Sequence, residues 1–209
     1  MTPDYEFERA AIAQGFSTIA GVDEVGRGPL AGPVTAAAVV LSPDRIPKGL
    51  NDSKALTAKA RERLYDEIMT CADVCIAHAS VQEIEDLNIL RASHLAMTRA
   101  LAGLGKPADY ALIDGNMIPR DLTLPAQTIV KGDARSVSIS AASIVAKICR
   151  DRIMVDLAQQ HPGYGWETNM GYGSKRHIAA LQNLGVTPHH RRLFKPVHNI
   201  LYQDNFLTD

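Results

Sequence analysis

Two adjacent carboxylates, Asp23 and Glu24, follow an apolar run in the stretch AGVDEVGRGPLAGPV, which covers residues 20–34. The same context recurs twice, because Asp114 ends the apolar segment YALID and Asp133 comes just after TIVKG. A sheet in an α/β protein usually places its site just beyond the ends of its strands. Carboxylates gathered there repel one another, and oxygen ligands suit hard divalent cations such as Mg²⁺ or Mn²⁺. These four acids therefore predict a metal site.

A structural explanation competes at each of these positions. An acid at a strand end often forms a turn, as in the Asp-Gly pair that begins at Asp114. Adjacent residues of a regular strand also point to opposite faces, so Asp23 and Glu24 can share one ion only if the strand bends. Gly26 and Gly28 would permit a bend or bulge there.

Other chemistries fit the sequence poorly. Residues 26–31 match the dinucleotide fingerprint G-x-G-x-x-A, but Pro33 would break the helix that this fingerprint requires. The sequence contains no HExxH, Cys-x-x-Cys, Walker A or Gly-x-Ser-x-Gly motif. A dinucleotide site, a zinc site, a P-loop and a hydrolase elbow are therefore not predicted.

The composition is that of an ordinary globular protein, with 46% hydrophobic and 22% charged residues among 209. No apolar run is long enough for a transmembrane helix, and the N-terminus is acidic, so we expect a cytoplasmic protein with no membrane partner. Residues 147–195 contain eight basic and three acidic residues, a net charge of +5. This segment is either a polyanion-binding surface or a plain solvated helical surface.

Hydrophobic periodicity predicts the elements that must position the acids. Strands are predicted at 16–23, 34–41, 74–79, 110–113 and 128–130, and helices at 57–69, 87–104, 136–158, 178–184 and 193–201. This order indicates an α/β fold with a mixed sheet. We expect two parts, a catalytic domain at 1–160 and a helical C-terminal extension at 161–209.

Seven short blocks in this chain resemble those of bacterial ribonuclease HII, in that family's order and over roughly residues 18–200. They are GVDEVGRGPLAGPV, NDSK at 51–54, IDG at 113–115, KGD at 131–133, SAASIVAKICRD at 140–151, GYGSKRH at 171–177 and HHRRLFKPV at 189–197. The resemblance implies a ribonuclease H-like fold, with a five-stranded mixed sheet flanked by helices and a helical C-terminal extension. It also implies an endoribonuclease that hydrolyses the phosphodiester 5′ to ribonucleotides, in RNA–DNA hybrids and in duplex DNA with embedded ribonucleotides. Two-metal-ion catalysis with Mg²⁺ or Mn²⁺ would leave a 3′-OH and a 5′-phosphate.

The resemblance also assigns roles to individual residues. Asp23, Glu24, Asp114 and Asp133 match the family's metal-binding catalytic carboxylates. The loop Gly26-Arg27-Gly28 matches its ribonucleotide-sensing loop, and Tyr172 matches the tyrosine that packs on the neighbouring sugar. Further candidate substrate contacts, mostly to phosphates, are Asn51, Lys54, Lys147, Lys175, Arg191 and Arg192.

Two alternatives stay open at this point. One is a metal-dependent DNA nuclease of the same fold, and the other is a hybrid-binding protein without catalysis. Arg27 between two glycines argues against the first, and the complete set of carboxylates argues against the second. We expect a monomer, and the C-terminal sequence YQDNFLTD lacks the family's sliding-clamp motif, so clamp binding is not predicted.

Overall fold

The computed structural model of the protein describes residues 2–202 and has a five-stranded mixed sheet at its centre. The strands are β1 (Ile19–Val25), β2 (Val34–Val40), β3 (Asp73–Ala79), β4 (Tyr110–Asp114) and β5 (Ala126–Ile129). Their order in the sheet is β3-β2-β1-β4-β5. Strand β2 pairs antiparallel with β1 and β3, whereas β4 pairs parallel with β1 and β5. The predicted mixed sheet is therefore confirmed.

Helices cover both faces of the sheet and form the C-terminal part of the described chain. They are α1 (Glu6–Ala13), α2 (Ala58–Cys71), α3 (Val81–Leu87), α4 (Ile89–Ala102), α5 (Val137–Gln160), α6 (Trp166–Asn169), α7 (Lys175–Leu184) and α8 (Lys195–Tyr202). Within residues 2–202, no helix is both long enough and apolar enough to cross a membrane.

Side chains of the central strands alternate between two cores. Ala36 and Ala38 of β2 face α4, whereas Ala37 and Val39 face α5. Strand β1 follows the same alternation, because Ala20 and Val22 belong to the α4 side. This alternation decides where the two adjacent acids at the end of β1 point.

Helix α5 lies directly against β1 and is buried over most of its length, as its small and apolar first half predicts. Its N-terminus is capped by Ser136, whose Oγ accepts a hydrogen bond from the Ile139 amide at 3.2 Å. A Cβ at Gly21 would lie only 2.1 Å from the carbonyl carbon of Ser138. Glycine at this strand position therefore allows the close approach of helix and sheet.

Three expectations about the elements need correction. The predicted helix at 87–104 is α4, which begins only at Ile89 because Asn88 adopts a φ of 68° and caps the helix with its side chain. Helices α1, α3 and α6 were not predicted. No bulge interrupts β1, whose pairing with β2 continues regularly to Val25 opposite Thr35.

The C-terminal helices have their own core against the second half of α5. Trp166, Leu181 and Val197 pack there together with Leu30 and Met154. The segment on which the clamp-motif expectation depends lies, apart from its first residue, outside the described residues.

Candidate active site

The cluster of acids forms where β1 and β4 separate. Their parallel pairing ends at Val22 and Ile113, one residue before Asp23 and Asp114. The two carboxylates are therefore neighbours at the same edge of the sheet. Together with Glu24 and Asp133 they line one cleft of about 370 Å³. The structure thus brings together all four acids that the sequence singled out.

Asp23 is the most deeply buried member of the cluster, with 6% of its surface exposed. Its Oδ1 accepts a hydrogen bond from the Glu24 amide at 2.7 Å, and Ser143 lines the same cleft. Burial raises the pKa of Asp23 well above its usual value, and the nearby Glu24 and Asp114 carboxylates raise it further. Within residues 2–202, no basic side chain forms an ion pair with Asp23.

Glu24 points to the other face of the sheet, as strand alternation requires. It lines the main cleft and also a small cavity beside Ser93 and His94 of α4. Arg27 Nη1 donates to its Oε1 at 3.1 Å. Burial nevertheless raises the pKa of Glu24, because Arg27 only partly offsets desolvation and Asp114 adds repulsion. The two acids thus share one cleft from opposite sides of the strand end, without a bulge.

Asp114 and Asp133 are joined through the backbone. The Gly132 amide donates to Asp114 Oδ1 at 2.7 Å and so ties the end of β4 to the short 3-10 turn Gly132–Ala134. That turn carries Asp133 into the cleft immediately before α5 begins. Burial raises the pKa of Asp133, with Asp114 and Asp52 adding to the effect and Lys54 opposing it.

The donor set suits divalent cations that keep water or substrate ligands. Within residues 2–202, no three acidic, histidine or cysteine side chains converge closely enough to hold one ion by themselves. Mg²⁺ is commonly bound through one or two carboxylates, with waters and substrate phosphates completing its shell. Four carboxylates lining one cleft, one of them buried without a cationic partner, fit such sites.

Two buried arginines shape the loop at 26–33, which follows β1. Arg191 donates to the carbonyls of Gly26 (2.6 Å), Arg27 (2.9 Å) and Gly32 (2.9 and 3.0 Å). Arg150 donates to the carbonyls of Ala31 (3.0 Å), Pro33 (3.3 Å) and Met170 (2.6 Å). Burial lowers the pKa of Arg150 to about 10 and that of Arg191 to about 9. Both remain cations at neutral pH, held by carbonyls alone.

The prediction that Arg191 contacts phosphate is therefore wrong. Its surface is 0% exposed, and its four hydrogen bonds all go to backbone carbonyls of the protein. Within a run of basic residues, only the fold decides which one is buried. Arg192, the next residue, is exposed.

The hydrogen bonds from Arg191 to the carbonyls of Gly26 and Arg27 also fix the direction of the peptide groups in this loop. The described chain contains no cis peptide bond, and in a trans peptide the carbonyl and the next amide point in opposite directions. Because Arg191 holds the carbonyls of Gly26 and Arg27 inward, the amides of Arg27 and Gly28 point away from it. Arg27 and Gly28 themselves line the cleft.

The other predicted substrate residues divide into two groups. Lys54, Lys147 and Tyr172 line the cleft with the acids, and Lys147 Nζ forms an ion pair with Asp151 at 2.8 Å. Tyr172 is 48% exposed and sits against Gly28. The remaining three do not line the cleft: Asn51, Lys175 and Arg192. Lys175 and Arg192 are exposed elsewhere, and the Asn51 carbonyl accepts from the Ser140 hydroxyl at 3.0 Å.

Sequence reasoning missed several residues that support the site. Ser143 lines the cleft together with Asp23, and its Oγ lies 3.0 Å from the Ser53 hydroxyl. His177 contacts the Tyr172 carbonyl through Nδ1 at 2.9 Å and is itself buried beside Trp166. A serine inside the apolar run SAASIVAKIC was the available indication for Ser143. Nothing local distinguished His177.

Comparisons with known proteins agree with this geometry. The profile of the family described as Ribonuclease HII matches residues 20–197. A ribonuclease HII from Cereibacter sphaeroides is 69% identical over 202 residues, which covers 97% of this chain and 95% of that protein.

Solved structures show the same fold. The ribonuclease H2 from Pyrococcus horikoshii has a TM-score of 0.75 and 26% identity, over 92% of this chain and all of that one. The ribonuclease HII of Archaeoglobus fulgidus, solved in complex with PCNA, has a TM-score of 0.69 and 25% identity, over 85% of this chain and 95% of that one. The Bst ribonuclease HIII, solved with Mn²⁺, has a TM-score of 0.73 and 19% identity, over 88% of this chain and 69% of that one. At this low identity it supports the fold alone.

The sheet, its flanking helices and the acidic cleft define a ribonuclease H-like protein. More narrowly, the chain belongs to the ribonuclease HII family. It is a metal-dependent endoribonuclease that cleaves RNA in RNA–DNA hybrids and strands with embedded ribonucleotides.

Proposed function

We propose that this enzyme hydrolyses the phosphodiester on the 5′ side of a ribonucleotide and leaves a 3′-OH and a 5′-phosphate. The observation that carries this proposal is the environment of Asp23. A carboxylate that is almost fully buried beside two other acids costs several kcal/mol unless a cation compensates it. A cleft that holds negative charge in this way suits cations and the phosphate oxygens that they bind.

Asp23, Glu24, Asp114 and Asp133 would hold Mg²⁺ or Mn²⁺. When bound, such cations polarise phosphate oxygens and lower the pKa of water, which is the chemistry that phosphodiester hydrolysis needs. The chain contributes fixed ligand positions, because Asp23 is held by the Glu24 amide. Asp114 is likewise held by the Gly132 amide. The acids therefore need little rearrangement to receive a cation.

Ribonucleotide recognition is assigned to the loop Gly26-Arg27-Gly28. Because both residues line the cleft, the amides of Arg27 and Gly28 can bond to the 2′-OH, which both donates and accepts hydrogen bonds. These backbone groups contact the sugar without reading the base. The Tyr172 ring, exposed beside Gly28, would pack against the sugar on the 3′ side.

Phosphate contacts are assigned to Lys54 and Lys147 within the cleft, and to Lys175 and Arg192 on the exposed C-terminal surface. Asn51 does not line the cleft but shortly precedes Ser53 and Lys54, which do, and it is assigned a supporting role because its carbonyl accepts a hydrogen bond from Ser140 of α5. We also propose the division into a catalytic part at 1–160 and a C-terminal part at 161–209. The separate core around Trp166 supports it.

Three duplexes test the proposed reaction. One is all DNA, one contains a single ribonucleotide, and one is an RNA–DNA hybrid, each incubated with Mg²⁺ and mapped at nucleotide resolution. We expect cleavage of the second at one bond, 5′ to the ribonucleotide, and none of the first. Cleavage on the 3′ side, or a 2′,3′-cyclic end, would overturn the proposal.

The metal assignment is tested separately by calorimetric titration with Mn²⁺. Asp23→Asn should lose Mn²⁺ binding and cleavage together. Asp156→Asn serves as the matched control, because Asp156 is exposed on α5 outside the cleft. Unchanged Mn²⁺ affinity in Asp23→Asn would remove Asp23 from the ligand set.

A further inference from the structure

A second groove lies along α4, beyond the acidic cleft. It encloses about 520 Å³ between the first turns of α4 and the loop that follows β4. We call it the α4 groove and define it by six of its lining residues: Leu90, Arg91, His94, Met117, Ile118 and Arg120. The reaction proposed above leaves it unassigned.

The α4 groove is connected to the acidic cleft through the small cavity beside Glu24. That cavity shares Glu24, Arg27 and Asp114 with the cleft. It shares Leu90, His94 and Met117 with the α4 groove, whereas the cleft and the groove have no lining residue in common. The three spaces therefore form one path, with the carboxylates between Tyr172 at one end and the α4 groove at the other.

The α4 groove has the chemistry of a nucleic-acid strand site. Arg91 and Arg120 are exposed, and neither forms an ion pair within residues 2–202. Asp121 is the acid among its lining residues. Met117 and Ile118 expose 48% and 44% of their surface between these charges. Free guanidinium groups suit phosphates, and exposed apolar side chains suit the faces of bases or sugars.

We propose that the α4 groove binds the cleaved strand on the 5′ side of the scissile phosphate, with Arg91 and Arg120 contacting its backbone phosphates. This inference rests on the proposed reaction. If the ribonucleotide occupies the loop at 26–28 and its 3′ neighbour packs on Tyr172, the strand continues 5′ past the carboxylates. The connected path leads from there into the α4 groove.

The test combines truncation of the substrate with substitution of the protein. Duplexes with one ribonucleotide keep a constant 3′ side, and the 5′ side of the cleaved strand is shortened stepwise. Wild type, Arg91→Ala, Arg120→Ala and the control Arg45→Ala are compared by kcat and KM. Arg45 is an exposed arginine beside a different cavity. Thermal unfolding of each variant checks that folding is retained.

We expect the two groove variants to raise KM for substrates with a long 5′ side while kcat stays near the wild-type value. On the shortest substrates their KM should equal that of the wild type. Each lost phosphate contact should lower by about 0.9 the slope of log affinity against log salt concentration. The ratio of the variant's KM to the wild-type KM should therefore shrink about 3.5-fold when salt rises from 50 to 200 mM. Arg45→Ala should behave as the wild type throughout.

Three results would overturn the inference. One is a wild-type KM that does not depend on the length of the 5′ side. Another is a KM increase that follows truncation of the 3′ side instead. The third is an unchanged KM in both groove variants, which would indicate that the α4 groove binds a protein partner instead of the cleaved strand. Failure of the proposed reaction itself would look different, because the wild type would then not cut 5′ to the ribonucleotide in any substrate.

Discussion

Replacing Arg191 by alanine separates a buried support from a phosphate contact. The side chain satisfies three carbonyls, those of Gly26, Arg27 and Gly32, with four hydrogen bonds. Losing the donors to three buried carbonyls, at about 1 kcal/mol each, should cost about 3 kcal/mol of unfolding free energy. The substitution also removes repulsion from Arg150, which offsets part of this loss. For a chain of this size the melting temperature should fall by about 6–12 °C.

The adjacent Arg192 is the matched control. It is exposed, so Arg192→Ala should leave stability nearly unchanged and lower the salt slope of substrate binding by about one unit. Arg191→Ala should do the reverse, with a large loss of stability and an unchanged slope. The assays are denaturant unfolding and binding of a ribonucleotide-containing duplex at several salt concentrations. A reduced salt slope with normal stability in Arg191→Ala would refute the argument from burial.

Three further predictions concern the cleft and the C-terminal core. Asp114→Asn should abolish cleavage without loss of melting temperature, because it removes one of several repelling charges; near-normal turnover in excess Mg²⁺ would count against its role. Tyr172→Ala should lose about 1–3 kcal/mol of transition-state stabilisation on a single embedded ribonucleotide and less on an all-RNA hybrid, with little change in melting temperature. An equal loss of kcat/KM on both substrates would contradict that role. Burial lowers the pKa of His190 to about 3, so between about pH 6.5 and pH 3 the unfolded chain binds a proton that the folded chain does not. The contribution of His190 to the free energy of unfolding is therefore full above about pH 6.5. It falls by about 1.4 kcal/mol per pH unit as the pH drops toward 3. Comparing urea unfolding of the wild type and His190→Gln at several pH values isolates this contribution, and a pH-independent difference would contradict it.

Much of the cleft was predictable because its acids lie at the ends of apolar segments. Strand periodicity placed Asp23, Asp114 and Asp133 beyond strands, and the sheet topology brought those ends to one edge. The expected bulge at Glu24 was unnecessary. The cleft opens where β1 leaves β4, so acids on both faces of the strand can reach it.

The supports of the cleft were not predictable from local sequence. Arg191 is buried because it binds carbonyls about 160 positions earlier in the chain, and hydrophobic periodicity does not reveal such contacts. Helix α3 was not predicted, and only the φ of 68° at Asn88 shows that the chain turns between α3 and α4.

Helix α5 explains why the division at residue 160 is not a division of function. Ser143 lines the cleft from the first half of α5, and Arg150, about two turns further on, holds carbonyls on both sides of the boundary, those of Ala31 and Met170. Arg191 then reaches back from the C-terminal part to the loop that follows β1. The loop that we assign to ribonucleotide recognition is thus shaped by one arginine from each part. A displacement of the C-terminal helices would therefore alter the recognition loop, while Asp23 and Asp114 remain fixed by contacts within the first part.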